Sequence, residues 1–152
     1  MTVPGRIMAL DVGEVRTGVA VTDPMQIIAS PHSVVQEKSL DATIQQVVKL
    51  ITDLEVVLLV VGIPLDRTGQ PGAQADKVQR FIELLRQQIT IPVVYQDERF
   101  STAGAERMLI NANMRRNKRK VVIDKIAATH ILEDYLQRQK HLHYKADTDV
   151  TN

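Results

Sequence analysis

The sequence predicts an α/β domain: one mixed five-stranded sheet, an antiparallel three-strand meander followed by two parallel strands, with helices on both faces. Three observations lead there. Three strand-like runs fall within the first 35 residues, joined by linkers too short for a crossover helix, so they must pair antiparallel. From Ser39 onward, strand-like and helix-like segments alternate, which implies parallel strands with right-handed crossovers. The chain is 152 residues long and 44% apolar, enough for one core and too little for two full domains.

Residues 6–11 (RIMALD) read as a buried strand, and Gly18 to Thr22 as the second after a short loop at Gly13. A third follows around Ile27 to Val35. Ser39 can cap a helix reaching about Asp53, with Ile44, Val47, Val48 and Ile51 on one face. Val56 to Val61 is continuously apolar, as a central strand covered on both faces should be, and Gly62-Ile63-Pro64 ends it. A polar loop through Gly69, Pro71 and Gly72 leads to a helix whose Val78, Phe81, Ile82, Leu85 and Ile89 have helical spacing. Residues 91–96 (IPVVYQ) are the fifth strand, closed by Asp97-Glu98-Arg99. Ser101 or Thr102 can cap a helix towards Ile110, and a last helix spans roughly Val121 to Gln139. The domain is thus expected over 1–139, with a polar tail over 140–152.

Composition removes several classes of function. With no cysteine, neither a disulfide framework nor a thiolate metal site can form, which is compatible with a reducing cytosol. The longest apolar run, Val56 to Val61, is far short of the ~20 residues of a membrane helix. The N-terminus lacks a long apolar segment ending in a small-residue cleavage site, so a cytoplasmic protein is expected. Net charge is only +1, but residues 115–120 (RRNKRK) concentrate five cations in six positions. Taken alone such a run is a solvated loop; beside a site that handles phosphate it becomes a contact patch.

Three acidic positions stand out. Asp11 ends the apolar run IMAL, and the carboxyl ends of strands are where open α/β sheets place their sites. On its own it could equally start a turn. Asp97 and Glu98 close the fifth strand. If strand geometry persists through them, successive residues point to opposite faces and only one of them can face a site with Asp11. Taken alone, the Asp-Glu-Arg tripeptide reads as a loop of surface ion pairs. Asp124 shares a helix face with Ala127, Ala128, Ile131 and Tyr135, and a carboxylate on an apolar face is costly unless compensated. Its competing reading is an exposed acid at a helix start.

Three carboxylates at two strand ends and one helix start can converge on one edge of the sheet. A set of hard oxygen donors without His or Cys suits Mg²⁺ or Mn²⁺. A pair of such ions ~4 Å apart supports in-line attack of water on a phosphodiester. Arg16, Arg99 and the 115–120 run would then neutralise substrate phosphates. The four histidines show no ligand spacing.

Four blocks carry a resemblance: Asp11-Val-Gly-Glu-Val-Arg16-Thr-Gly18-Val-Ala; Val61-Gly62-Ile63-Pro64-Leu65 with Gly69 and Gln74-Ala75; Asp97-Glu98-Arg99-Phe-Ser-Thr102 with Ala105-Glu106; and Asp124-Lys125-Ile-Ala127-Ala128 with Ile131-Leu132 and Tyr135-Leu136. Together, in order over residues 6–138, they resemble the YqgF family, known as ribonuclease-H-like Holliday-junction resolvases and as pre-16S ribosomal RNA nucleases. Asp66, Thr68 and Phe100-Ser101 depart from that family's usual Asn, Asp and Leu-Thr.

The resemblance implies a ribonuclease-H-like fold and a nuclease, with Asp11, the Asp97-Glu98 pair and Asp124 catalytic. Asp11, Glu98 and Asp124 are the expected metal ligands. Arg16, Arg99, Lys125 and the cations Arg115, Arg116, Lys118, Arg119 and Lys120 are the expected substrate contacts. The expected cofactor is Mg²⁺ or Mn²⁺. The expected partner is nucleic acid, RNA ahead of DNA, with no membrane, for a monomer or weak homodimer. The expected reaction is processing of the 5′ end of precursor 16S ribosomal RNA. The alternatives are resolution of a Holliday junction and a non-catalytic RNA-binding role in ribosome assembly. An actin-like ATPase shares the Asp-x-Gly start but needs a second domain, for which 152 residues leave no space.

Overall fold

The computed structural model describes residues 4–64, 70, 72–98 and 126–142. The elements are β1 (Arg6–Val12), β2 (Thr17–Thr22), β3 (Ala29–Val35), α1 (Leu40–Asp53), β4 (Val56–Ile63), α2 (Ala73–Arg86) and β5 (Val93–Asp97), followed by a helix over 126–142, here α3. The sheet order is β3-β2-β1-β4-β5. β1, β2 and β3 pair antiparallel, whereas β4 runs parallel to both β1 and β5.

Strand alternation sorts the apolar residues into two layers. Met8, Leu10 and Val12 of β1 and Leu59 and Val61 of β4 pack under α1 and α2 through Ile44, Val47, Val78, Phe81, Ile82 and Leu85. The intervening Ile7, Ala9, Ala20 and Val60 pack under α3 through Ala128, Ile131, Leu132 and Tyr135. The alanines on both sides of this second interface let α3 lie close to the sheet, and every residue named in it except Tyr135, at 9%, is at most 2% exposed. Fully burying a side chain such as Ile131 or Leu132 stabilises the fold by roughly 1.5–3 kcal/mol.

Ser39 caps α1, its side chain accepting from the Ala42 N–H at 3.1 Å. The element bounds differ from the sequence reading where backbone donors decide them. β4 continues through Gly62 to Ile63, because the Glu98 N–H donates to the Ile63 carbonyl at 3.0 Å. Pro64, which has no N–H, then follows. β5 starts at Val93 because Pro92 cannot donate to the ladder. α2 ends at Arg86, before Ile89, which still packs on the core from the irregular segment after the turn at Gln87-Gln88. α3 runs to 142, three residues past Gln139, since Lys140, His141 and Leu142 include neither the Gly nor the Pro that would stop it. The helix expected from Ser101 or Thr102 and the basic run lie outside the described residues.

β3 begins at Ala29 rather than near Ile27, because the turn before it is built on Asp23. Its carboxylate accepts from the backbone N–H groups of Met25 (3.0 Å), Ile27 (2.9 Å) and Ile28 (2.7 Å). These bonds, Ile28's foremost, hold the carboxyl below its ordinary pKa of 3.8. A depressed folded-state pKa adds stability that is present above pH 3.8 and lost as pH falls through the folded value. Asp23→Ala is therefore expected to lower the urea midpoint at neutral pH and to flatten its acid decline below about pH 4. Parallel urea titrations of both proteins across that range check this, and equal acid slopes would remove Asp23 from the acid response.

Candidate active site

The site sits at the carboxyl ends of β1, β4 and β5, on the sheet face covered by α3. Asp11 alternates with Leu10 and Val12, which face α1 and α2, so it lies on the α3 face, 7% exposed. Its antiparallel partner is Gly18. Leu10 pairs with Val61, and continuing that register sets Asp11 beside Gly62. On the far side of β4, Gly62 pairs with Gln96.

β5 resolves the facing of the acidic pair. Val93 and Tyr95 pack on the α1/α2 layer and Val94 on the α3 layer. Alternation therefore directs Asp97 to the α1/α2 side and Glu98 to the side of Asp11. The Glu98 side chain lies against Gly62: a Cβ built there would stand 2.8 Å from its Cδ and 2.9 Å from its Oε1. β1 and β5 are separated by β4, hence by about 10 Å at ~4.8 Å per strand spacing. Glu98 crosses part of that gap by lying over the glycine, which brings its carboxylate towards Asp11.

The loop after Asp11 is tight. The Gly13 N–H donates to the Arg16 carbonyl at 2.8 Å, and a Cβ at Gly13 would stand 2.7 Å from that oxygen, which explains the glycine. Arg16 follows at the same edge of the sheet, its Nε donating to Gln36 Oε1 at 3.2 Å. Gln74, at the start of α2, donates from Nε2 to the Val12 carbonyl at 3.0 Å and ties down the end of β1. Gln96 was not anticipated from sequence. It is 3% exposed, and its Nε2 donates to the Ile131 carbonyl of α3 at 2.9 Å. A polar residue on the inward face of a strand was its only sequence signal.

Asp11, Glu98, Asp97 and Arg16 are thus placed. Arg99, Arg115, Arg116, Lys118, Arg119, Lys120, Asp124 and Lys125 lie outside the described residues, Asp124 two positions before the described part of α3. Among the described residues no group of three or more His, Cys, Asp or Glu side chains could hold a metal ion, and no helix is long and apolar enough to cross a membrane.

A meander of three antiparallel strands extended by two parallel ones, with carboxylates at their ends and helices on both faces, is a ribonuclease-H-like fold. The sequence profile of the family RuvX, Holliday junction resolvase, matches residues 5–138. A protein of Roseiflexus sp. (strain RS-1) named "Putative pre-16S rRNA nuclease" is 44% identical over 137 residues, spanning 90% of this chain and 97% of that one. Its namesake from Natranaerobius thermophilus is 46% identical over 134 residues, 88% and 95% of the two chains. The structure of T. thermophilus RuvC in complex with Holliday junction substrate matches with a TM-score of 0.56 over 89% of this chain and 96% of that one. At 10% identity that match carries the fold alone. The chain belongs to the RuvX family, the one the YqgF blocks pointed to, and is by that membership an enzyme of the nuclease class.

Proposed function

We propose that this enzyme is a metal-dependent phosphodiester hydrolase that processes the 5′ end of precursor 16S ribosomal RNA. The observation that carries the reading is that the Glu98 side chain lies over Gly62, on the sheet face that also carries Asp11. The names of the two relatives support the choice of RNA.

The residues fit a hard divalent cation. Asp11 is a buried carboxylate, Glu98 leans towards it, and both offer oxygen only. Asp124 is the third ligand in this reading. Bound Mg²⁺ or Mn²⁺ would supply an activated water and stabilise the leaving oxygen of an in-line displacement. The chain's part is to fix the donors on two strands of a rigid sheet, with Gln74 bracing the end of β1 and the tight Gly13 turn bringing Arg16 to the same edge. Arg16, Arg99 and Lys125 then meet substrate phosphates, whose charge they offset.

The 115–120 run extends that contact to flanking phosphates. Changing its five cations to serine is expected to weaken RNA binding and to reduce the slope of log K against log[salt] by about 0.7 for each single-strand phosphate no longer neutralised. Binding titrations at several salt concentrations measure this, and an unchanged slope would make the run a solvated loop.

The substrate is tested by offering the enzyme a precursor 16S RNA fragment and a four-way DNA junction in Mn²⁺ or Mg²⁺, each with a chelator control. Cleavage of the RNA near the mature 5′ end, with the junction spared, is the expected result. Preferential cutting of the junction would replace RNA processing by the activity in the RuvX family's description.

A further inference from the structure

Gly62 touches two elements of the site at once. A Cβ placed on it would stand 2.5 Å from Ile131 Cδ1 of α3, as well as 2.8 Å from Glu98 Cδ and 2.9 Å from Glu98 Oε1. Contacts that short are not tolerated, so any side chain at 62 must push aside the end of the Ile131 side chain, the Glu98 carboxylate or both. Glycine inside a central strand, even one residue from its end as here, is otherwise unfavourable, because it contributes no packing and loses more backbone entropy than other residues. The approach of α3 is reinforced beside it: Gln96, the cross-strand partner of Gly62, donates from Nε2 to the carbonyl of the same Ile131 at 2.9 Å. Ile131 is 1% exposed. Its side chain therefore fills the depression left by the glycine while its carbonyl is held by the adjoining strand.

We infer that Gly62 is a positioning residue of the metal centre: it is the floor on which Glu98 crosses β4 to reach Asp11. Seating Ile131 is its separable second role. Strand structure alone would not require this glycine, since Val60, the preceding β4 residue on the same α3 face, is large and fully buried. The inference rests on the reading of Asp11 and Glu98 as metal ligands. It adds that the reach of Glu98 is set by the residue beneath it.

The two roles can be separated by substitution. Gly62→Ala strikes both Ile131 and Glu98. Adding Ile131→Val removes Cδ1, the atom struck on α3, and leaves the collision with Glu98 in place. Mn²⁺ binding by the full chain, followed by equilibrium dialysis, and thermal unfolding in chelator are measured for wild type, Gly62→Ala, Ile131→Val and the double variant. Gly62→Ala is expected to melt lower and to bind Mn²⁺ roughly 10- to 100-fold more weakly, the scale on which residues that orient metal ligands act. Ile131→Val should bind Mn²⁺ as wild type does. The double variant should recover the melting temperature of Ile131→Val while its Mn²⁺ affinity stays low.

Recovery of Mn²⁺ affinity together with stability would overturn the inference and leave Gly62 as a seat for α3 only. Unimpaired Mn²⁺ binding by Gly62→Ala would overturn it as well. A distinct failure, in which wild type binds Mn²⁺ no better than Asp11→Asn does, would remove the metal-site reading itself and the inference with it.

Discussion

Asp11→Asn is expected to lower metal-dependent cleavage by about 10³-fold in kcat/KM, equivalent to ~4 kcal/mol of transition-state stabilisation. The substitution keeps the shape of the side chain and removes its charge. Asp11 lies on a central strand, 7% exposed, with Gly18 opposite and Gly62 alongside, so little else at that point can supply an anionic ligand. The surrounding packing depends on Ile7, Ala9 and Ala20 beneath α3 and on Leu10 and Val12 beneath α1 and α2, none of which changes. The variant should therefore fold, with a far-ultraviolet spectrum and a melting temperature in chelator close to those of wild type. Steady-state cleavage assays over a range of Mn²⁺ concentration measure the effect. Retention of more than a tenth of the activity would take Asp11 out of the catalytic set.

Glu98→Gln and Asp97→Asn should separate sharply although the two residues are adjacent. Glu98 shares the α3 face with Asp11 and leans over Gly62, while Asp97 alternates to the face of Val93 and Tyr95. Loss of the Glu98 charge is expected to reduce cleavage by about 10²- to 10³-fold, the range found when one preorganised charge-stabilising group is removed. Asp97→Asn should cost less than about 10-fold, because its carboxyl is directed away from the proposed ion. Side-by-side kinetics of the two variants decide the matter. Equal losses would mean that both acids serve the reaction, and a larger loss at Asp97 would reverse the assignment.

The sheet was legible in the sequence because its signals were local. Short linkers between the first three strands force antiparallel pairing, and helix-period segments between the later strands force parallel crossovers. The unbroken run Val56 to Val61 announced a strand covered on both faces, and both layers are present above and below it. The bounds were less legible, because they depend on which backbone groups find partners. Ile27 and Ile28 read as the start of a strand, yet their N–H groups are taken by the Asp23 carboxylate. Both side chains remain exposed, at 62% and 65%.

The site was partly legible for a related reason. A carboxylate at a strand end is visible in one dimension, and alternation says that only one of Asp97 and Glu98 can face Asp11. Which of them does so depends on how β5 lies against α1 and α3. That is a tertiary fact, visible only once Tyr95 and Val94 are seen to fall on opposite layers. Gln96 carried still less signal. Its role exists only because a helix carbonyl passes above it, at a sequence separation of 35 residues.

The central claim is that Asp11 and Glu98 together make a divalent-metal site at the carboxyl edge of the sheet. Direct Mn²⁺ titration of wild type, Asp11→Asn and Glu98→Gln tests it without reference to any substrate. Saturable binding by wild type that weakens by at least about 10-fold in each variant is the predicted result. Equal binding by all three proteins would contradict the claim.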